Sequence, residues 1–326
     1  EKIDVIDKLL IIGCDPRREA SVLNSRIRQR WLTGALDILS LCTPDDLTYK
    51  SISLGNDISV LLDTNIQEKI KGFFKDSNFP MILLGDSILG TKQGKKIHKI
   101  TKILSQESNL IRKDWNGFNI LNKFASRVGG LTVGFVPYDG GMSSLEIKEA
   151  LKNKKLKVIF LIEADDFKIN ESDLENTFIV YIGHHGDRFA GKADVILPTS
   201  AFTEKKALYL NLEGRPQFTK AVISKPGLAV DSWKVFKALD QKLSSVIKFN
   251  NHEELLKSMF IEYPMLQNME YFKKEKWIIE KNSNISLSSE VNNFLVENFY
   301  QTCCISRSSE NMANCVRDIL NIKKGK

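Results

Sequence analysis

The sequence predicts an α/β protein: two open, mainly parallel, doubly wound units followed by a mostly helical C-terminal segment. Three observations lead there. Apolar runs such as LLIIG, PMILLG and VIFLI are short and continuous, as in strands buried on both faces. Stretches with apolar residues at helical spacing separate them. The alternation breaks at the turn-rich GGLTVGFVPYDGGMSS (129–144), with five Gly and one Pro, and then restarts. The units are therefore expected at 1–140 and 141–249, and the helical segment at 250–326.

Along the chain, DKLLIIG (7–13) reads as a buried strand ending at Gly13. CDPRREASVLNSRIRQRW (14–31) reads as a turn and a helix. Pro16 suits a helix start, and Val22, Leu23, Ile27 and Trp31 recur at helical spacing. LDILSLCT (36–43) is the next strand, residues 65–77 are helical by pattern, and FPMILLG (79–85) is a strand again. QGKKIHKITKIL and WNGFNILNKFASRV read as helices. In the second unit LKVIFLI (156–162), TFIVYIG (177–183) and ADVILP (193–198) are buried-strand candidates. Helical stretches lie near 145–153 and 171–175, and the chain closes on the basic tail NIKKGK.

At 326 residues, with 42% hydrophobic and 27% charged, the chain suits about two domains with sizeable cores. Its apolar runs are far shorter than the roughly 20 residues that span a bilayer, so a soluble protein without direct membrane insertion is expected. It opens on Glu1 with a strand-like run close behind, which reads as the interior of a longer polypeptide. A net charge of +7 and a pI near 9.0 permit nucleic-acid binding. Lysines are interleaved with acids throughout, however, and no RNA-binding aromatic motif or helix-turn-helix accompanies them. The expectation is no nucleic-acid partner. Cys14, Cys42, Cys303, Cys304 and Cys315 form no CxxC and no zinc or iron–sulfur spacing, so free thiols in a reducing compartment are expected.

Candidate chemistry is sparse. GDSILGT (85–91) has phosphate-loop glycine spacing, but Thr91 stands where lysine is needed and Lys92 comes one residue late, so a strand-end turn is preferred. A stand-alone nucleotide-binding module would predict saturable binding lost on Gly85→Val. No G-x-G-x-x-G or G-x-S-x-G run occurs. GHHGD (183–187) follows a strand, where α/β sheets take ligands. On an extended chain His184 and His185 would point to opposite sides, so they read as structural polar anchors. The acids in ADD (164–166) read as capping or solvated residues. ADVILP is followed by Glu204 and the polar turn NLEGR (211–215), where Gly214 permits close approach and Arg215 could clamp an anion.

The run ADVILPTSAFTEKKALYLNLEGRPQ (193–217) resembles the molybdopterin oxidoreductase superfamily. Together with IIGCDPRREASVLNSRIRQRW (11–31), WNGFNILNKFASRVGGLTVGF (115–135), the block 183–239 and FYQTCCISRSSENMANCV (299–316), the chain resembles one family. That family is the large iron–sulfur subunit of respiratory complex I, the NADH:ubiquinone oxidoreductase. The resemblance implies a C-terminal portion with the molybdopterin-enzyme fold and no cofactor. The [4Fe-4S] and [2Fe-2S] clusters would lie in an N-terminal portion, and their ligands match no residue here. Molybdenum enzymes use Cys, selenocysteine, Ser or Asp as the protein ligand over paired pterin nucleotides. Cys14 is the tempting counterpart and reads as incidental.

No catalytic, cofactor-binding or metal residue is therefore assigned. Arg17, Arg26, Arg28, Arg30 and Arg215 read as structural or interface charges needing carboxylate or carbonyl partners, with Glu19, Glu204 and Glu213 as candidates. The implied role is a non-catalytic scaffold within an NADH:quinone reductase, contacting other hydrophilic-arm subunits. It would lie on the cytoplasmic face of a bacterial inner membrane or the matrix face of the mitochondrial one. The alternative is a fragment of a catalytically active molybdopterin oxidoreductase.

Overall fold

The computed structural model describes residues 2–243, 245–268, 277–279, 285–289 and 298–320. By packing, the chain divides into one unit of 1–124 with 274–297 and another of 125–273 with 298–326. The break thus falls at Phe124 and not near 140, and residues 250–326 are shared out between the units. The reason lies in local contacts. The Tyr263 hydroxyl donates to the carbonyl of Val133 at 2.9 Å, tying the glycine-rich connection to the second unit. Ile285 and Leu287 pack on the first unit's core.

The first unit runs β1 (Lys8–Ile12), α1 (Pro16–Glu19), α2 (Ser21–Leu32), β2 (Asp37–Leu41), β3 (Ile52–Ser53), α3 (Thr64–Phe74), β4 (Pro80–Gly85), α4 (Asp86–Leu89), α5 (Gly94–Glu107) and β5 (Phe118–Leu121). Its sheet has the order β3-β2-β1-β4-β5, with every pair parallel. Leu10 of β1 lies between Leu39 and Ile82 of its neighbours. Alternate residues feed two cores. Leu10, Ile12, Ile82 and Leu84 pack with Ile70, Phe74, Ile97 and Leu104 from α3 and α5. Leu9, Ile11, Ile38 and Leu83 pack with Ile27 of α2 and Trp115. Covering both faces is what makes these strands continuously apolar, and each fully buried Leu or Ile contributes roughly 1.5–3 kcal/mol.

WNGFNILNKFASRV, expected to be a helix, instead supplies β5. Trp115 Nε1 donates to the Pro80 carbonyl at 2.7 Å, and a Cβ on Gly117 would lie 2.1 Å from that same oxygen. The segment is drawn along β4 by these contacts, which override a short run of ambiguous period.

The second unit contains α6 (Arg127–Thr132), α7 (Ser144–Lys152), β6 (Val158–Ile162), β7 (Phe178–Gly183), β8 (Val195–Pro198), β9 (Leu208–Leu210), β10 (Pro216–Phe218), α8 (Ser232–Leu243), α9 (His252–Glu262), α10 (Cys304–Arg307) and α11 (Glu310–Cys315). The strands β6-β7-β8 form a parallel sheet, and β9 and β10 an antiparallel hairpin. α7 opens on a reciprocal cap between Ser143 and Glu146, which satisfies two otherwise orphaned donors. NLEGR is the hairpin turn: Asn211 Oδ1 accepts from the amides of Glu213 and Arg215, and Gly214 takes φ 83°. The stretch near 171–175 is a 3-10 turn, Glu171–Leu174.

The core here is built on one sheet face, from Leu151, Ile159, Leu161, Leu174, Ile179, Tyr181 and Phe189. β6 alternates exposed and buried, and β8 is largely exposed, although both were expected to be buried on both faces. They are the edge strands of a three-stranded sheet, and neither α8 nor α9 buries a residue. The helical expectation for 269–276, 280–284 and 290–297, and the tail NIKKGK (321–326), lie outside the described residues. Among the described residues no helix is long and apolar enough to cross a membrane.

Candidate functional site

Open α/β sheets take ligands beyond the carboxyl ends of strands where the strand order reverses. In the first unit that point lies between β1 and β4, at Gly13–Asp15 and Gly85–Ile88. The gap there is closed by protein. A Cβ on Gly85 would sit 2.0 Å from the Gly13 carbonyl oxygen, so the two backbones touch. A Cβ on Gly13, which holds φ 60°, would meet Ile88 at 2.9 Å, and Ile88 is wholly buried. Asp15 caps α1, accepting from the Arg18 amide at 3.3 Å and its guanidinium at 2.7 Å. Asp86 places an acid in the first turn of α4, which disfavours a phosphate after GDSILGT.

Cys14 is fully buried and its Sγ lies 3.9 Å from the Leu83 carbonyl. Burial pushes its thiol well above the ordinary range, and the nearby Glu19 and Asp15 charges add to this. A neutral buried thiol is a poor metal ligand, which must be a thiolate. Glu19 is half-buried, and burial, with Asp15 and Asp86 adding, pushes its carboxyl up to about 7. A raised folded-state value means that protonated Glu19 stabilises the fold. That contribution is complete below about pH 4.5 and is lost as pH rises through about 7. Glu19→Gln is therefore expected to add about 1–3 kcal/mol above pH 7 and little at acid pH, read by urea unfolding at both. Equal effects at both pH values would contradict the buried-acid account.

Four of the arginines have the carboxylate or carbonyl partners expected, although the carboxylates are not the candidate glutamates. Arg17 pairs with Asp46 and Arg26 with Asp4, while Glu19 is the half-buried acid just described. Arg28 donates to the Thr48 carbonyl and Arg30 to that of Ile6. Glu204 accepts from the Ala201 amide at 3.0 Å and lies on the wall of an open cavity of about 540 Å³, with Lys206 and His252.

In the second unit a denser cluster gathers at the carboxyl ends of β6 and β7. Tyr181, fully buried, donates to both oxygens of Asp165, at 3.0 and 3.2 Å. Asp165 is itself buried, and burial holds its carboxyl above the ordinary range while Tyr181 works against this. Gly183 makes the pairing possible, since a Cβ there would lie 2.5 Å from the Tyr181 hydroxyl. Arg307 of α10 bridges Asp187 at 2.5 Å and Asp166 at 2.9 Å. Cys304 Sγ lies 4.0 Å from His184 Nδ1. Lys205 pairs with Glu163 at 3.0 Å.

Of the ADD acids, Asp165 is thus a buried acceptor and not the capping or solvated residue expected from sequence, while Asp166 is solvent-exposed as expected and pairs with Arg307. GHHGD also departs from expectation. The chain bends at His184 and His185, so the rings meet edge to face with Nδ1 atoms 2.6 Å apart and do not point to opposite sides. Burial lowers the His184 pKa, favouring the neutral ring. Among the described residues no group of three or more His, Cys, Asp or Glu is arranged to hold a metal ion. The five cysteines are free, with Cys14 and Cys42 buried and Cys303 exposed. Sequence reasoning missed Tyr181, Asp165 and Arg307 as one network, because Arg307 and Asp187 stand 120 residues apart. The chemistry of the network is cohesive: it ties the segment around α10 to the strand ends.

Residues 1–242 match the family model described as molybdopterin oxidoreductase. The chain belongs to that family. Residues 274–315 match a second family model, which describes the C-terminal region of the NADH-ubiquinone oxidoreductase G subunit. Over 96% of its length the chain is 38% identical to the NADH-ubiquinone oxidoreductase 75 kDa subunit of Reclinomonas americana. Over the same share it is 35% identical to the mitochondrial 78 kDa subunit of Neurospora crassa and 35% to the NADH-quinone oxidoreductase G subunit of Rickettsia bellii. It covers 45%, 42% and 44% of these proteins respectively, and so spans less than half their length. A chain of the formyltransferase/hydrolase complex of Methylorubrum extorquens superposes with a TM-score of 0.53 at 14% identity, over 74% of this chain and 76% of that one. At that identity the likeness concerns fold alone.

Members of this family are associated with a pterin nucleotide, and the residues at the first unit's switch point do not fit one. Such a group needs backbone amides opening on a gap, and here Gly13 and Gly85 are in contact with Ile88 packed against Gly13.

Proposed function

We propose that this chain is a cofactor-free scaffold portion of the large iron–sulfur subunit of a proton-pumping NADH:quinone oxidoreductase. Its role is to support electron transfer from NADH to quinone through clusters held elsewhere in the full subunit. The observation that carries this reading is the closed switch point, found in a chain similar to the 75 and 78 kDa subunits. Electron transfer between centres depends on fixed distances, and the two-sided core of the first unit supplies rigid packing. In this reading the [4Fe-4S] and [2Fe-2S] clusters belong to the portion of the subunit outside this chain. The partners are other hydrophilic-arm subunits, and the protein sits in the peripheral arm of a membrane complex, on the bacterial cytoplasmic or mitochondrial matrix face.

The test is the iron, molybdenum and tungsten content of the intact native polypeptide, by elemental mass spectrometry. Abundant iron with neither molybdenum nor tungsten is expected. Stoichiometric molybdenum or tungsten would overturn the reading in favour of a fragment of a catalytically active molybdopterin oxidoreductase.

A further inference from the structure

Two thiols and an imidazole meet at the start of α10. Cys303 and Cys304 are adjacent in the chain, and His184 reaches them from the end of β7. The thiols stand in different surroundings. Cys303 is exposed, with its Sγ 3.4 Å from the Ser306 hydroxyl, which accepts from the Cys303 amide at 3.0 Å. Burial works against ionisation of Cys303, but hydrogen bonds from the Ser306 hydroxyl and the Ser306 and Ile305 amides, with the Arg307 charge, hold its thiol below the ordinary range. Cys304 is half-buried, and its Sγ lies 4.0 Å from His184 Nδ1. Burial, with the Asp165 and Cys303 charges adding, keeps this second thiol protonated, and the neutral His184 ring beside it is a base. An exposed nucleophile thus sits next to a second thiol that has a proton acceptor at hand.

We infer that Cys303 and Cys304 are a redox pair that small-molecule disulfides close, and that closure releases α10 from the strand ends of the second unit. The Cys303 thiolate attacks a disulfide RS–SR, forming Cys303–S–SR and expelling RS⁻. Cys304 then attacks the Cys303 sulfur, its proton passing to His184, and a second RS⁻ leaves. The two RS⁻ take up the proton that Cys303 released to solvent and the one held by His184. The pair loses two electrons and two protons, and RS–SR becomes two RSH. All the groups lie in the second unit, so the inference does not depend on the scaffold reading.

Geometry makes the bridge labile and gives it a consequence. Neighbouring Cα atoms are about 3.8 Å apart across a trans peptide, below the roughly 4.4–6.8 Å usual between bridged cysteines. Strained, exposed disulfides are the easily reduced, regulatory ones. Closing this one turns the Cys304 sulfur away from His184 and takes Cys303 from its place against Ser306. Arg307 belongs to the same single turn, Cys304–Arg307, and its bridges to Asp187 and Asp166 tie that turn to the ends of β7 and β6. The disulfide and these ion pairs therefore compete.

The test incubates the full-length native polypeptide, within its own assembly, with graded ratios of oxidised to reduced glutathione at neutral pH. Mass spectrometry then reads each cysteine. A Cys303–Cys304 bridge is expected, free of glutathione and reopened by excess reduced glutathione. Cys304→Ser should stop at a glutathione adduct on Cys303, and Cys303→Ser should leave Cys304 unmodified. His184→Gln should slow closure from the Cys303 adduct by at least about tenfold, as loss of a general base does. The amides of Arg307 and Ser308 bond the carbonyls of Cys303 and Cys304, and their hydrogen exchange should quicken at least about tenfold on oxidation while β7 is unchanged. A lasting glutathione adduct on Cys303 of the parent protein would overturn the pair. So would a bridge from either thiol to Cys315, or thiols that stay reduced at every ratio. Closure at the parent's rate in His184→Gln would remove the base from the mechanism. A bridge that leaves exchange at Arg307 and Ser308 unchanged would overturn the release of α10.

Discussion

Gly85→Ala prevents the first unit from folding: that is the largest single-site effect expected in this chain. The added Cβ would lie 2.0 Å from the Gly13 carbonyl oxygen and 2.7 Å from Cys14 Cβ. Both obstacles follow directly on β1, which is held in register with β4 from Lys8–Pro80 to Ile12–Leu84. Relief would require parting the two central strands, at a loss of more than about 4 kcal/mol. The measurement is urea unfolding beside Gly72→Ala, a helical glycine with nothing within 4 Å of its Cβ position. That control is expected to gain about 0.5–1 kcal/mol. A Gly85→Ala protein as stable as its parent would mean that the switch point is open. The same contact disqualifies Gly85→Val as a probe of nucleotide binding, because the variant fails to fold whether or not a nucleotide binds.

Tyr181→Ala is the second, with an expected loss of about 3–5 kcal/mol from the cavity left by a fully buried aromatic ring. Tyr181→Phe isolates the hydroxyl and should cost about 1–2 kcal/mol by leaving buried Asp165 without its donor. The pH dependence has a definite sign. Asp165 already has a raised folded-state pKa, and the Tyr181 hydrogen bond is what holds it down. Its contribution to stability is present at acid pH and lost as pH rises, and removing the hydroxyl steepens that loss. Denaturant unfolding of Tyr181→Phe should show a larger deficit at neutral pH than near pH 3. An equal deficit at both would mean that the Tyr181–Asp165 bond does not govern the carboxyl.

The first unit was legible in the sequence to the extent that burial on two faces writes itself into composition. LLIIG, LDILSL and PMILLG became β1, β2 and β4 because each residue meets one core or the other. β5 was not legible: FNIL is too short to show a period, and its strand state comes from Gly117 and Trp115 meeting Pro80. In the second unit the same apolar writing misled. VIFLI is as continuous as LLII, yet three of its five residues are exposed. Composition records what a strand is suited to pack against, and only the fold decides what packs there.

The candidate site divides in the same way. That Gly13 and Gly85 end strands could be read directly, but that they touch could not, because the contact joins backbones 72 positions apart in the chain. The histidine pair is visible as a motif, but an extended chain would turn the rings apart, and the backbone bends there instead. The α/β class, the strand ends where chemistry would sit and the family resemblance are all legible in the chain as written. These are properties of local period and of short runs of residues. Folding alone shuts one strand-end gap, brings Arg307 to Asp187 and Asp166, and leaves much of the edge strands β6 and β8 exposed. Each of these depends on which distant segments meet, and a contact of that kind leaves no mark on the local pattern of either segment.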